Sequence, residues 1–130
     1  MRVLLADDDS EQLALRSMLL GRSGFEILEA ADRNAALKLA AEQRPECAVI
    51  DLRFPTESIG LQLIRELKEL NSGMHLVVLT GADPEKFRLR PERKLVDQVI
   101  VKGASSAHLL ERLRSIAGGS PGSPQASFQS

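Results

Sequence analysis

Four short apolar runs punctuate the chain, and each gives way to a polar side chain: 3–6 to Asp7, 47–50 to Asp51, 76–79 to Thr80 and 99–101 to Lys102. Such runs, bounded by polar residues, mark strands buried on both faces of a sheet. A weaker strand at 25–29 carries Glu26 and Glu29 and suits a sheet edge. Helical patterns lie between the runs. The first follows Asp9, with Gln12 at capping-box spacing, Leu13, Leu15, Leu19 and Leu20 as apolar positions, and Gly21 to Gly24 as the stop. The second spans about 34–43, capped by Asp32 and stopped before Pro45. The third, about 60–70, carries Leu61, Ile64, Leu67 and Leu70 along one stripe. The last, about 105–116, puts Leu109, Leu110, Leu113 and Ile116 on one face. Segment 83–94 departs from the pattern. Asp83-Pro84 makes a good cap and first turn, but Pro91 ends any helix, so one to two turns and then irregular chain are expected. Five strands alternating with helices predict an α/β fold, a doubly wound five-stranded parallel sheet covered on both faces.

A chain of 130 residues is one domain. It buries roughly two-thirds of its unfolded surface, so neither a metal nor a disulfide is needed to hold the core. Its 17 basic and 18 acidic side chains leave a net charge of -1, too weak a field to draw it onto nucleic acid or an anionic membrane. No apolar run approaches the roughly 18 residues of a membrane helix, and the N-terminus lacks the basic start and long apolar region of a signal peptide. The expectation is a cytoplasmic protein without a membrane segment. The lone Cys47, inside Cys47-Ala48-Val49-Ile50, reads as a packing residue. Residues 118–130 are rich in Gly, Ser and Pro, which predicts a domain at 1–117 followed by a disordered tail or linker.

In doubly wound sheets the chemistry gathers beyond the carboxyl ends of the strands. The first strand ends in Asp7-Asp8-Asp9, the third in Asp51, the fourth in Thr80 and the fifth in Lys102. Asp7, Asp8 and Asp51 would repel one another unless a cation intervened. Oxygen ligands without His or Cys favour a hard ion, and few protein ligands with room for water favour Mg²⁺. Lys102 supplies a point charge for a phosphoryl oxygen and Thr80 a hydroxyl donor, so Asp51 is the candidate nucleophile toward an activated phosphoryl group. Asp9 reads as a helix cap. His75, at the opposite sheet edge, and His108, on the last helix, read as non-catalytic.

With Leu4-Leu5-Ala6-Asp7-Asp8-Asp9, Val49-Ile50-Asp51-Leu52-Arg53-Phe54-Pro55, Val78-Leu79-Thr80-Gly81-Ala82 and Val99-Ile100-Val101-Lys102 in this order, the sequence resembles the receiver domains of two-component response regulators over residues 1–117. The resemblance implies a flavodoxin-like sheet in the order 2-1-3-4-5. It implies Mg²⁺ on Asp7, Asp8, Asp51 and the backbone carbonyl of Arg53, and phosphorylation of Asp51 by a histidine kinase or phosphotransfer protein. It further implies a switch in which Thr80 moves toward the phosphoryl group and an aromatic residue on the fifth strand turns inward. That movement remodels the face of the fourth helix, fifth strand and fifth helix, through which a homodimer or protein target would bind.

The sequence departs from the family at the switch. The aromatic position is Val99, so no ring can turn inward. The usual Pro after the Lys is Gly103, for which a trans bond is expected. Pro91 shortens the fourth helix, and Gly60 falls one residue later than usual. Arg53 either pairs with Glu57 or another local acid, or shields an acyl phosphate from water. The cluster Lys86, Arg88, Arg90, Arg93 and Lys94, mixed with Glu85 and Glu92, is either a solvated surface or a partner surface. The leading function is therefore a phosphoacceptor that signals through a protein partner, with no enzymatic activity beyond self-phosphorylation from small donors and autodephosphorylation. The tail also has the composition of a linker to an output domain. The alternative is an interaction module that works without phosphorylation. A phosphohydrolase is disfavoured, because Arg53 stands where a second Asp would be needed.

Overall fold

The computed structural model of the protein describes residues 1–81, 84–102 and 106–118. Five parallel strands, β1 (Arg2–Ala6), β2 (Glu26–Ala30), β3 (Cys47–Asp51), β4 (His75–Thr80) and β5 (Gln98–Val101), form one sheet in the order β2-β1-β3-β4-β5. The helices are α1 (Ser10–Arg22), α2 (Arg33–Gln43), α3 (Glu57–Leu70), α4 (Pro84–Arg88) and α5 (Ser106–Ala117), with a 3-10 turn at Pro91–Leu95. As its glutamates predict, β2 is an edge strand. The order reverses between β1 and β3, whose paired ends, Ala6 and Ile50, set Asp7 beside Asp51.

Strand alternation sorts the core into two layers. Leu4, Ala6, Ala48, Ile50, Leu76 and Val78 face α2 and α3, against Ala36, Ala40, Leu63, Ile64 and Leu67. Val3, Leu5, Cys47, Val49, Val77 and Leu79 face α1 and α5, against Leu13, Leu20, Leu109 and Leu113. Burying thirty apolar side chains at roughly 25 cal/mol per Å² is the main driving force for this arrangement.

Asp9 caps α1 by accepting from the backbone N–H of Glu11 and Gln12, and Asp32 caps α2 through Ala35. Gly24, at φ 96°, turns the chain out of α1 in the left-handed region. Three expectations need correction. Leu15 and Leu70 are each 48% exposed and are not core. Helix α3 begins at Glu57, with Thr56 as its cap, so it starts one turn before its apolar stripe. Within that first turn Gly60 permits close packing. A Cβ there would lie 1.9 Å from the Leu52 carbonyl oxygen, so the first turn of α3 rests directly on the backbone leaving β3. The loop between them carries a cis Phe54–Pro55 peptide, with Phe54 fully buried.

Helix α4 lasts five residues and does not continue past Pro91, as the sequence predicts, but the expected irregular chain is instead a 3-10 turn that Pro91 opens. Phe87 and Val96 anchor this segment in the α2/α3 layer. The Asp83 cap, the Gly103 peptide and the tail at 119–130 lie outside the described residues.

Candidate functional site

Asp7 follows β1 and Asp51 ends the central strand β3; they are 2% and 4% exposed, while Asp8 is exposed. One carboxylate oxygen from each of Asp7, Asp8 and Asp51 lies within 4.8 Å of the others. Asp51 Oδ1 accepts from the Arg53 N–H at 3.1 Å, and Oδ2 accepts from Lys102 Nζ at 2.6 Å. The turn after Asp51 is tied to the neighbouring strand by the Leu52 N–H on the Leu79 carbonyl (2.9 Å), and Lys102 is set by its N–H on the Thr80 carbonyl (2.7 Å). Asp51, Thr80, Gly81 and Lys102 thus surround a cavity of about 210 Å³ that Arg53 and Glu57 also line.

The Asp51 carboxyl sits above the usual carboxylate range. Burial penalises its charge and the Asp7 charge adds to this, against the opposing hydrogen bonds from Lys102 and the Arg53 N–H. A buried acid beside two others, each oxygen a hard donor, fits a hard divalent cation with water completing its shell.

Every strand-end residue singled out in the sequence therefore reaches one place, and Asp9 stays apart as a cap. Val99 pairs with Val78 and packs, partly buried, against the layer that holds Phe87. Arg53 contributes its backbone N–H while its side chain is exposed. Glu57, its expected partner, instead binds Arg90 at 3.3 Å. That pair draws part of the basic cluster into internal contacts. Arg93 donates to the Val96 carbonyl, Arg88 meets Glu85 at 3.6 Å, and Glu92 is buried against Arg65. His75 lies at the start of β4, 3.6 Å from Asp97, and His108 accepts from Arg112 on α5, so neither belongs to the site. Burial pushes the Cys47 thiol up to about 12, which makes it inert.

Arg16 escaped the sequence reading. Its Nη1 donates to Asp7 Oδ2 at 2.6 Å, while Asp7 Oδ1 accepts from the Asp9 N–H at 2.9 Å. The signal was there: Arg16 falls between Leu13 and Leu20 on the buried stripe of α1.

A family model described as the response regulator receiver domain matches residues 3–114. The chain is similar to the transcriptional regulatory protein PrrA of Mycobacterium tuberculosis, 31% identical over 115 residues, covering 88% of this chain and 49% of the relative. It is also similar to the transcriptional regulatory protein SrrA of Staphylococcus aureus, 31% identical over 114 residues, covering 88% of this chain and 46% of the relative. The chain spans about half the length of the curated relatives it matches. Among solved structures, a CheY-like receiver domain from Methanospirillum hungatei superposes with a TM-score of 0.80 at 24% identity, covering 88% of this chain and 91% of that one. The Thermotoga maritima response regulator TrrA, in complex with Mg²⁺ and BeF, superposes with a TM-score of 0.78 at 22% identity, covering 88% and 97%. Such identities carry the fold alone. The family model, the sheet order and the acids at the strand ends agree, and the chain belongs to the response regulator receiver domains of two-component signalling.

Proposed function

We propose that Asp51 is the phosphoacceptor of a two-component relay, fed by a histidine kinase or phosphotransfer protein in the cytoplasm and read out by a protein partner. The observation that carries this is the Asp51 carboxylate, held by Lys102 and the Arg53 N–H at the mouth of a cavity with Thr80 on its wall. A carboxylate oxygen of Asp51 attacks phosphorus in line; the O–P bond forms as the N–P bond to the donor imidazole breaks, and the imidazole takes up a proton from solvent. The Lys102 ammonium shifts from Asp51 to a phosphoryl oxygen, and the Thr80 hydroxyl donates to another. Asp7, Asp8, Asp51 and the Arg53 carbonyl would hold Mg²⁺, which supplies neutralising charge when bound. Val99 has no ring to turn, so the readout is carried by Thr80.

Intact mass after incubation with Mg²⁺ and acetyl phosphate tests this. The expected result is one added phosphoryl group, absent from Asp51→Asn and absent without Mg²⁺. No adduct on a chain that binds Mg²⁺, with no shift of the Thr80 and Lys102 resonances on adding beryllofluoride, overturns it. The short α4 and Val99 would then favour a module that binds its partner without phosphorylation.

A further inference from the structure

Helix α1 buries Leu13 and Leu20, and Arg16 lies three residues after one and four before the other, on the same stripe. Its side chain is only 17% exposed and lines a narrow crevice together with Leu5, Leu13, Val49 and Leu79. A guanidinium in apolar surroundings is expensive to desolvate unless it is paired and hydrogen-bonded, and its bond to Asp7 Oδ2 is the compensation. Asp7 Oδ1 is already held by the Asp9 N–H, so the chain's own donors occupy both of its oxygens. In charge, Asp7, Asp8 and Asp51 face Lys102 and Arg16, which leaves three negative charges against two positive ones.

We propose that Arg16 is a positioning residue that acts as an internal counter-ion for Asp7, orienting that carboxylate in the metal-free chain and lowering the Mg²⁺ affinity of the acidic cluster. The proposal rests on reading that cluster as the Mg²⁺ site. Arg16 supplies beforehand part of the charge a divalent cation would bring. A cation entering the cluster meets a weaker field and must share Asp7 Oδ2 with a guanidinium or displace it.

Calorimetric titration of the full chain with Mg²⁺, backed by thermal melts with and without the metal, tests this in Arg16→Met, Arg16→Gln and Arg16→Lys. Loss of a unit charge a few ångströms from the ion is expected to tighten Mg²⁺ binding about tenfold in Arg16→Met and Arg16→Gln. Their melting temperatures should fall without metal and recover more than wild type on adding it, and Arg16→Lys should bind as wild type does. A merely structural role would loosen the cluster and weaken binding, so tightening is diagnostic. Arg16→Gln keeps an amide donor in case the Met variant does not fold. Unchanged or weaker affinity in both neutral variants overturns the role of Arg16. Asp8→Asn, which should abolish binding, separates the two readings. If it leaves Mg²⁺ binding intact, the metal lies elsewhere, and the cluster assignment fails together with the Arg16 proposal.

Discussion

The floor of the site and the segment above its rim are held by different forces. On the floor, Asp7 and Asp51 extend from buried strands, the turn after Asp51 is tied to β4 by the Leu52 N–H on the Leu79 carbonyl, and α3 is pressed onto that turn at Gly60. Above the rim, the segment of α4 and the 3-10 turn sinks Phe87 and Val96 into the core, with Leu95 packed partly buried against it. The segment reaches α3 through ion pairs, Arg90 with Glu57 and Glu92 with Arg65, and leaves Leu89 87% exposed. Steric fit cannot be adjusted by tenths of a kilocalorie, whereas a half-exposed ion pair such as Arg90 with Glu57 can, so the floor is the rigid part and the segment the adjustable one. Glu57 lines the cavity and also holds Arg90, which makes it the point where charge on the floor would be felt above.

The largest effect is expected on the floor. In Gly60→Ala the new methyl would fall 1.9 Å from the Leu52 carbonyl oxygen, and neither backbone can yield alone. Overpacking of this kind should lower stability by about 3 kcal/mol. Urea denaturation followed by circular dichroism should show the midpoint falling with the slope unchanged. A loss below about 1 kcal/mol would mean that the turn gives way, and the floor would lose its claim to rigidity.

The floor also carries a charge that opposes folding. Because the folded Asp51 carboxyl lies above its ordinary 3.8, the folded chain binds more protons than the unfolded chain between the two values. Stability contributed by this group therefore falls as pH rises through that window, and the penalty is fully present above the folded value. Asp51→Asn should melt higher than wild type at pH 7 in the presence of a chelator. The gap should close as the pH is taken below 3.8. A gap of the same size at both ends would trace the change to packing and not to charge.

How much of each region was legible in the sequence follows the same division. Strand ends are written locally, since a polar side chain interrupts an apolar run wherever it needs a partner to be buried, and Asp7, Asp51, Thr80 and Lys102 were found that way. The caps at Asp9 and Asp32 are equally local. Leu15 was misread because it follows Leu13 by two residues, about 200° around the helix and away from the sheet. The start of α3 was missed because its first turn carries Glu57 and Ser58 in place of an apolar stripe, and its packing partner is a backbone oxygen, which no side-chain pattern records. Arg16, for all its place on the buried stripe of α1, and Glu92 were missed for one reason. Each is a charged residue whose burial depends on a counter-ion distant in sequence, Asp7 in one case and Arg65 in the other.

The smallest effect belongs to the segment. Arg90 and Glu57 are 51% and 45% exposed, and an exposed pair of this kind contributes below about 1 kcal/mol, so Arg90→Ala should hardly move the denaturation midpoint. Its consequence should be local instead. Amide resonances of α4 and the 3-10 turn should shift, and their hydrogen exchange should quicken, while β1, β3 and α3 beyond its first turn keep their protection. Salt at 1 M, where the screening length is about 3 Å, should bring wild type toward the variant in the segment and leave the floor unchanged. Faster exchange spreading into β3 would mean that the ion pair supports the floor as well. The two regions would then open as one unit, and phosphoryl chemistry at Asp51 could not loosen the segment without disturbing the strand that presents it.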